Sequence, residues 1–352
     1  SDLSDTPLTG NLVASMFEDA GFPKGLVRVV HGSGVGGALA SSKIDKVFFT
    51  GGPGTGKSVM AAASANLVPC VLELGGNDAM VVLDDADLDR ALDCALWGSF
   101  VNAGQVCAGI QRIFVHDSIY GTFSERLSTM ADGLRQGDGS KDPGVSIGPV
   151  INDRALGDVL AALKDLEASG GRFTAGGGVH PDLGGRYVMP TVVQGVPADS
   201  PAAKNEIFGP VVILFPFSDA SDAIAMANST EYSLTASVWT SDPKKGAEMA
   251  AHLRAGSVCV NNATYTYGIP ETVWSGRGLS GFGATHGPDG FREMTVPKVI
   301  HSDSGKYRDP WWMPYGDDTV SLQREMGESL FSGKRPRLLR LYTRVMPSMR
   351  RK

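Results

Sequence analysis

Apolar positions along this chain switch repeatedly between a helical and an extended period. Three- and four-residue spacing predicts a helix from Leu8 to Ala20, a run of apolar residues predicts a strand from Leu26 to His31, and a second helix begins near Gly34. Ile44 to Thr50 reads as a buried strand, Gly56 to Asn66 as a helix, and Cys70 to Leu74 and Ala79 to Leu83 as two further strands. A long helix from Leu88 to Val101 follows. Beyond it the pattern predicts strands near Arg112 to Val115, Val211 to Phe217, Thr235 to Thr240 and Ser257 to Val260. Helices near Ala155 to Ser169, Ala220 to Asn228 and Pro243 to Ala255 alternate with them, and the glycine-rich stretch Gly170 to Gly185 reads as loops and a hairpin. Strands that alternate with helices imply an α/β fold with a parallel sheet and right-handed crossovers.

Length and composition narrow the class. A chain of 352 residues with 42% hydrophobic content can bury two sizeable cores. The net charge of −6 offers no general attraction to nucleic acid or to an anionic membrane. That balance is uneven, because Lys334 to Lys352 carries eight of the 32 basic residues and no acid. Within it Leu338, Leu341, Tyr342 and Val345 fall at helical spacing beside Arg337, Arg340 and Arg344, stopped by Pro347. The aromatic stretch Tyr307 to Tyr315 before it reads as an extended arm, so this tail reads first as a solvated terminus, then as a contact with a partner subunit, with a membrane surface as the lesser alternative. Cys70, Cys94, Cys107 and Cys259 lack Cys-x-x-Cys spacing, which suggests neither a zinc site nor a disulfide framework. Reduced thiols fit a cytoplasmic setting, and no run is long and apolar enough to span a bilayer.

The candidate chemistry centres on a thiol and a carboxylate. Cys107 stands in Asn102-Ala103-Gly104-Gln105-Val106-Cys107-Ala108-Gly109, 34 residues after Glu73 of Leu72-Glu73-Leu74-Gly75-Gly76-Asn77. Small neighbours let an electrophile approach the thiol, and a carboxylate on a glycine turn can hold a water, so covalent catalysis with a hydrolytic second step is implied. Each residue alone would read more simply as a core cysteine and a strand-end acid.

With Asn205-Glu206-Ile207-Phe208-Gly209-Pro210, Phe49-Thr50-Gly51 and Ser280-Gly281-Phe282-Gly283, these motifs resemble the aldehyde dehydrogenase superfamily from about Thr6 to about Ile300. Members normally carry a long segment before the point where Ser1 stands, with the family's oxyanion asparagine and adenosine-ribose lysine. The resemblance implies a partial Rossmann-type cofactor domain at 1–75, an α/β catalytic domain at 76–282, a bridging strand region at 283–304 and a tail at 305–352. Thr295 to Ser302 resembles the strand by which members join their oligomerisation sheets, and a homo-oligomer, dimer or tetramer, is expected.

The same resemblance implies oxidation of an aldehyde to an acid with NAD or NADP. Cys107 would be the nucleophile and Glu73 the base. Gly51, Gly52, Gly56 and Leu74 would line the cofactor's approach, Glu206 would hold the nicotinamide ribose, and Phe208 would pack near the ring. Val106, Ala108, Tyr265 and Tyr267 would shape the substrate pocket and suit an aromatic or medium aliphatic aldehyde, although Arg112 and Arg277 could reach it as carboxylate clamps. The stretch Trp274-Ser275-Gly276-Arg277-Gly278 departs from the family pattern. A truncated or non-catalytic relative is an alternative. So is a P-loop nucleotide-binding protein, because Gly51-Gly52-Pro53-Gly54-Thr55-Gly56-Lys57-Ser58 also satisfies the Walker A spacing, with Asp84 as the magnesium ligand.

Overall fold

The computed structural model describes residues 6–32, 34–304, 312–313 and 315–331. The chain divides into a unit at Ser1–Val296 and a second at Pro297–Lys352. In the first, ten strands run β1 Val47–Thr50, β2 Cys70–Glu73, β3 Asp78–Val82, β4 Ile110–His116, β5 Arg172–Ala175, β6 Thr191–Gln194, β7 Val211–Phe217, β8 Thr235–Trp239, β9 Ser257–Val260 and β10 Gly281–Phe282. Between them lie helices α1 Pro7–Asp19, α2 Val35–Ala40, α3 Pro53–Ser64, α4 Leu88–Phe100, α5 Asp117–Asp132, α6 Asp153–Ala168, α7 Pro201–Lys204, α8 Ala220–Ala227, α9 Pro243–His252 and α10 Gly287–Glu293. The second unit contains α11 Asp317–Phe331.

Two sheets organise the first unit. The larger has the order β5-β6-β7-β4-β3-β8-β9, parallel except for β5 against β6. Every residue of β3 and β8 is buried, as expected of strands covered by helices on both faces. α4 shows why these residues choose a helix: Ala91, Leu92, Ala95 and Gly98 form its buried stripe, and Asp87 caps it by accepting from the Arg90 amide at 3.1 Å. The smaller sheet has the order β1-β2-β10, with β1 parallel to β2 and β10 antiparallel to it.

The alternation and the parallel sheet agree with the sequence reading, and three local expectations fail. Residues 26–31 form no strand, because Gly25 and Gly32 turn the chain at φ 80° and 132° and no described strand lies beside them to complete a ladder. Thr295 to Ser302 likewise forms no strand within this single chain. The hairpin expected at Gly170 to Gly185 is longer: β5 pairs with β6, and Val179 bridges Val188 within the connection. Most of the aromatic arm from Tyr307 to Tyr315 and all of the basic segment from Lys334 to Lys352 lie outside the described residues.

Candidate active site

The site forms where three loops meet, and glycines allow the meeting. After α4 the chain passes through Asn102, Ala103 and Gly104, all at positive φ of 54°, 56° and 69°, before reaching Cys107. Two non-glycine residues held there are strained, a condition that surrounding structure must enforce. A Cβ on Gly104 would overlap the Gly209 carbonyl, so this loop lies against the Glu206-Ile207-Phe208-Gly209 turn. A Cβ on Gly76 would overlap the Cys107 carbonyl, which brings the Glu73 loop against the thiol loop.

Polar pins from the start of β4 fix this junction. Buried Gln111 donates to the Gly76 carbonyl at 3.4 Å and accepts from the Ile207 amide at 2.8 Å. Arg112, only 3% exposed, donates to Asn77 Oδ1 at 2.8 Å, to the Asn77 carbonyl at 2.8 Å, and to the Met226 and Ala227 carbonyls at 3.0 Å each. The clamp role considered for Arg112 is therefore corrected: its donors are spent on the Asn77 side chain and on main-chain carbonyls, and hold the fold. Gln111 was not legible as a site residue and Arg112 only in a different role, since a strand-start Gln-Arg pair carries no motif.

Electrostatics set the state of each reactive group. Burial pushes the Cys107 thiol up to about 11, with the Asp78, Glu206 and Glu73 charges adding to the rise and the Ala108 amide opposing it. The Cys107 and Glu73 loops meet at Gly76, so the predicted nucleophile and base stand on adjoining loops. Glu73 ends β2, and burial raises its carboxyl, opposed by hydrogen bonds from Thr285 and Trp274 and by the His286 imidazole. Glu206 is folded back onto the glycine turn, where it accepts from the Gly76 amide at 3.1 Å, and burial lifts it to about 7. Asp78, fully buried, is raised to about 8 by desolvation and accepts from the Thr235 amide at 3.0 Å.

Other predicted residues separate into lining and packing. Val106 and Cys107 pack on a small buried cluster of Ala108, Leu234 and Trp274. Tyr267 meets Trp274 edge-on at 6.4 Å, and Tyr265 and Tyr267 are exposed on the same turn. Phe208 is exposed. A Cβ on Gly56 would lie 2.6 Å from buried Leu74 Cδ2, so this glycine also packs α3 against the residue that follows β2. Gly51 is similarly blocked by the Phe49 ring at 2.5 Å, whereas a Cβ on Gly52 or Gly54 would meet nothing within 4 Å.

Gly52 caps α3, no side chain bonds the free amides there, and the first turn carries no acid. Such an open helix start suits a pyrophosphate. The P-loop alternative loses its magnesium ligand. Asp84 follows β3, which belongs to the seven-stranded sheet, while Lys57 and Ser58 sit on α3 beside the other sheet. Among the described residues, no group of three or more His, Cys, Asp or Glu could hold a metal ion, and no helix is long and apolar enough to cross a membrane.

Comparison with known proteins agrees with this geometry. Residues 3–300 match the aldehyde dehydrogenase family, and the chain belongs to it. A betaine aldehyde dehydrogenase of Cereibacter sphaeroides is 38% identical over 310 residues, covering 87% of this chain and 63% of the relative. A Mycobacterium tuberculosis protein, assigned in its name to NADP(+)-dependent succinate-semialdehyde dehydrogenases, is 34% identical over 92% of this chain and 62% of its own. Among solved structures, a point mutant of Staphylococcus aureus betaine aldehyde dehydrogenase in complex with NAD+ superposes with a TM-score of 0.83 at 33% identity, covering 88% of this chain and 64% of that one. The chain thus spans a little under two thirds of the length of these relatives.

Proposed function

We propose that this chain carries the thiol and base of an enzyme that oxidises an aldehyde to a carboxylic acid with NAD or NADP. The observation that carries the reading is the junction of the Cys107 and Glu73 loops across Gly76. Cys107 gives up its proton to solvent and, as the thiolate, attacks the aldehyde carbon, and the resulting oxyanion accepts from the Cys107 amide. A bound dinucleotide would supply the acceptor for the hydride of this carbon. Glu73 then takes a proton from water as it attacks the Cys107 thioester, and acid and free thiol are released.

The open amides of α3 suit the pyrophosphate, with Gly52 as the approach. Glu206, which accepts from the Gly76 amide through Oε1, is the acid placed to hold a ribose hydroxyl. NAD is supported by the NAD+ complex of the Staphylococcus aureus protein and NADP by the name of the Mycobacterium tuberculosis relative.

Val106, Ala108, Leu234, Trp274 and Tyr267 give the thiol an apolar, aromatic surround, and Arg112 is committed elsewhere. A neutral aromatic or medium aliphatic aldehyde fits that surround better than a diacid semialdehyde. A homo-oligomer is part of this proposal, supported by exposed Phe291, Met294 and Val296 in the first unit. The free cysteines suit a cytoplasmic setting, and the net charge of −6 does not favour nucleic acid.

The test is NADH or NADPH formation with benzaldehyde, hexanal, betaine aldehyde and succinic semialdehyde, with Cys107→Ala as control. Turnover that survives Cys107→Ala would refute the mechanism, and a clear preference for succinic semialdehyde would refute the substrate class.

A further inference from the structure

The Glu73 carboxylate is held from the far end of the first unit. Thr285 Oγ1 donates to Glu73 Oε1 at 2.9 Å across 212 residues of sequence. The Trp274 side chain and the His286 imidazole also favour the charged form of this carboxyl, against the rise that burial causes. The segment that departs from the family pattern at Trp274 therefore delivers the groups surrounding the base.

These groups are themselves locked. Trp274 is 6% exposed and packs between the edge of Tyr267 and the ring of His286, each with centroids 6.4 Å away. The Thr285 amide donates to the Trp274 carbonyl at 3.0 Å, so the two donors move as one piece. β10 anchors this piece on β2 through the Gly281–Glu73 register pair. His286 Nδ1 is buried without a hydrogen-bond partner, which leaves an unused polar atom inside the cluster. The other charged groups acting around the thiol are Asp78 and Glu206. A strand-end acid with no chemical role needs neither two converging donors nor an imidazole beside it.

We propose that Thr285 and Trp274 are positioning residues that hold the Glu73 carboxylate in one orientation for attack of water on the Cys107 acyl group, with His286 supplying the adjacent field. The inference rests on Glu73 acting as the base. In the step concerned, water oxygen bonds to the thioester carbon, its proton passes to Glu73, the carbon–sulfur bond breaks, and the thiolate is reprotonated as acid leaves. The donors fix the angle of the base relative to the acyl carbon, so their loss lowers the hydrolytic rate.

The step can be isolated in the full chain by acetylating Cys107 with p-nitrophenyl acetate, which releases p-nitrophenolate and leaves the acetyl thioester. Its decay is followed by mass spectrometry across pH. Thr285→Val and Trp274→Phe should each slow decay about tenfold, the rate equivalent of one charge-assisted hydrogen bond. Both should also move the acid limb of the decay to higher pH, because each removes a donor to the ionised carboxylate. His286→Gln should move the limb the same way, and Thr285→Ser, which keeps the hydroxyl, should decay like the parent.

Decay and limb unchanged in Thr285→Val and Trp274→Phe, with Glu73→Gln slow, would overturn the positioning role while leaving the base assignment intact. Parental decay in Glu73→Gln would overturn the base assignment and this inference with it. A Thr285→Ser protein as slow as Thr285→Val would show that the hydroxyl is not the agent, and would also overturn the proposal.

Discussion

Gly76→Ala tests the geometry of the whole site with a single methyl group. The added Cβ would overlap the Cys107 carbonyl and stand 2.8 Å from Asp78 Oδ1 and 3.3 Å from Asp78 Cγ, against about 3.5 Å or more for an unstrained carbon contact. The backbone at Gly76 is outside the left-handed region, so alanine suffers no torsional penalty and the cost is contact alone. Neither neighbour yields easily. Asp78 is tied to Thr235, and the Cys107 loop is pressed on Gly209 through Gly104. Gly76 is itself bonded through its amide to Glu206 and through its carbonyl to Gln111. Relief requires the thiol loop to move by about 1 Å, which overpacking data price at about 1–3 kcal/mol of stability. A misplacement of that size costs about 100-fold in rate. Urea unfolding and the rate of Cys107 acylation by p-nitrophenyl acetate measure the two effects. Gly52→Ala is the control, since its Cβ meets nothing within 4 Å and its φ of −70° suits alanine, so stability should not fall. A Gly76→Ala protein with parental stability and acylation within twofold of the parent would refute the three-loop junction.

Three further outcomes are expected. Asp78 has a folded pKa near 8, above its unfolded value, so its stabilising contribution is complete below the unfolded pKa and is lost as pH rises through about 8; the melting temperature should fall less between pH 5 and pH 8.5 in Asp78→Asn than in the parent, and equal slopes would contradict the assignment. Glu206→Gln removes a carboxylate that raises the Cys107 thiol, so iodoacetamide alkylation above pH 7 should begin at lower pH; an unmoved profile would show that the two groups do not communicate. Arg112→Met strips donors from buried carbonyls and should cost about 2–4 kcal/mol in urea unfolding, since each orphaned buried group costs about 1–3 kcal/mol; a loss under about 1 kcal/mol would mean that the junction does not depend on this pin.

The legible part of the site was its chemistry. Cys107 and Glu73 stand out because each reactive side chain lies within two residues of a glycine, which signals close approach of another chain segment or a ligand, while Glu206 is singled out only by the family resemblance. The structure supports the close approach and names the segments: Gly76 serves the Cys107 carbonyl and Gly104 the Gly209 carbonyl. Gly56 shows the limit of that logic. The same residue type in a phosphate-loop pattern turns out to admit Leu74, and sequence spacing does not separate a packing glycine from a ligand glycine. The inner strands of the large sheet were legible where burial on both faces leaves a continuous apolar run, as at Ala79–Leu83, whereas β5 and β6 carry no such run and were not assigned. Residues 26–31 have the same local appearance, yet lack a pairing neighbour, and a strand is a property of the pair. α5 went unassigned although Phe123, Leu127 and Ala131 recur at helical spacing, because polar residues dilute the stripe.

The groups that surround Glu73 were illegible for a different reason. Trp274, Thr285 and His286 lie about 200 residues from the base, and nothing in their local pattern points back to it. What joins them is β10, a strand of two residues, too short to produce a period of its own. It pairs antiparallel with β2 because Gly281, at φ 99°, has no side chain to collide with the Leu72 carbonyl, and because the Leu74 amide can then donate to the Ser280 carbonyl at 3.1 Å. Two glycine-dependent approaches, at Gly76 and at Gly281, therefore bracket Glu73 on both sides. One brings the nucleophile and the other brings the donors that orient the base. Each approach is a contact between distant segments, so the reactive residues can be read from the chain while the geometry that makes them react together is set only by the fold.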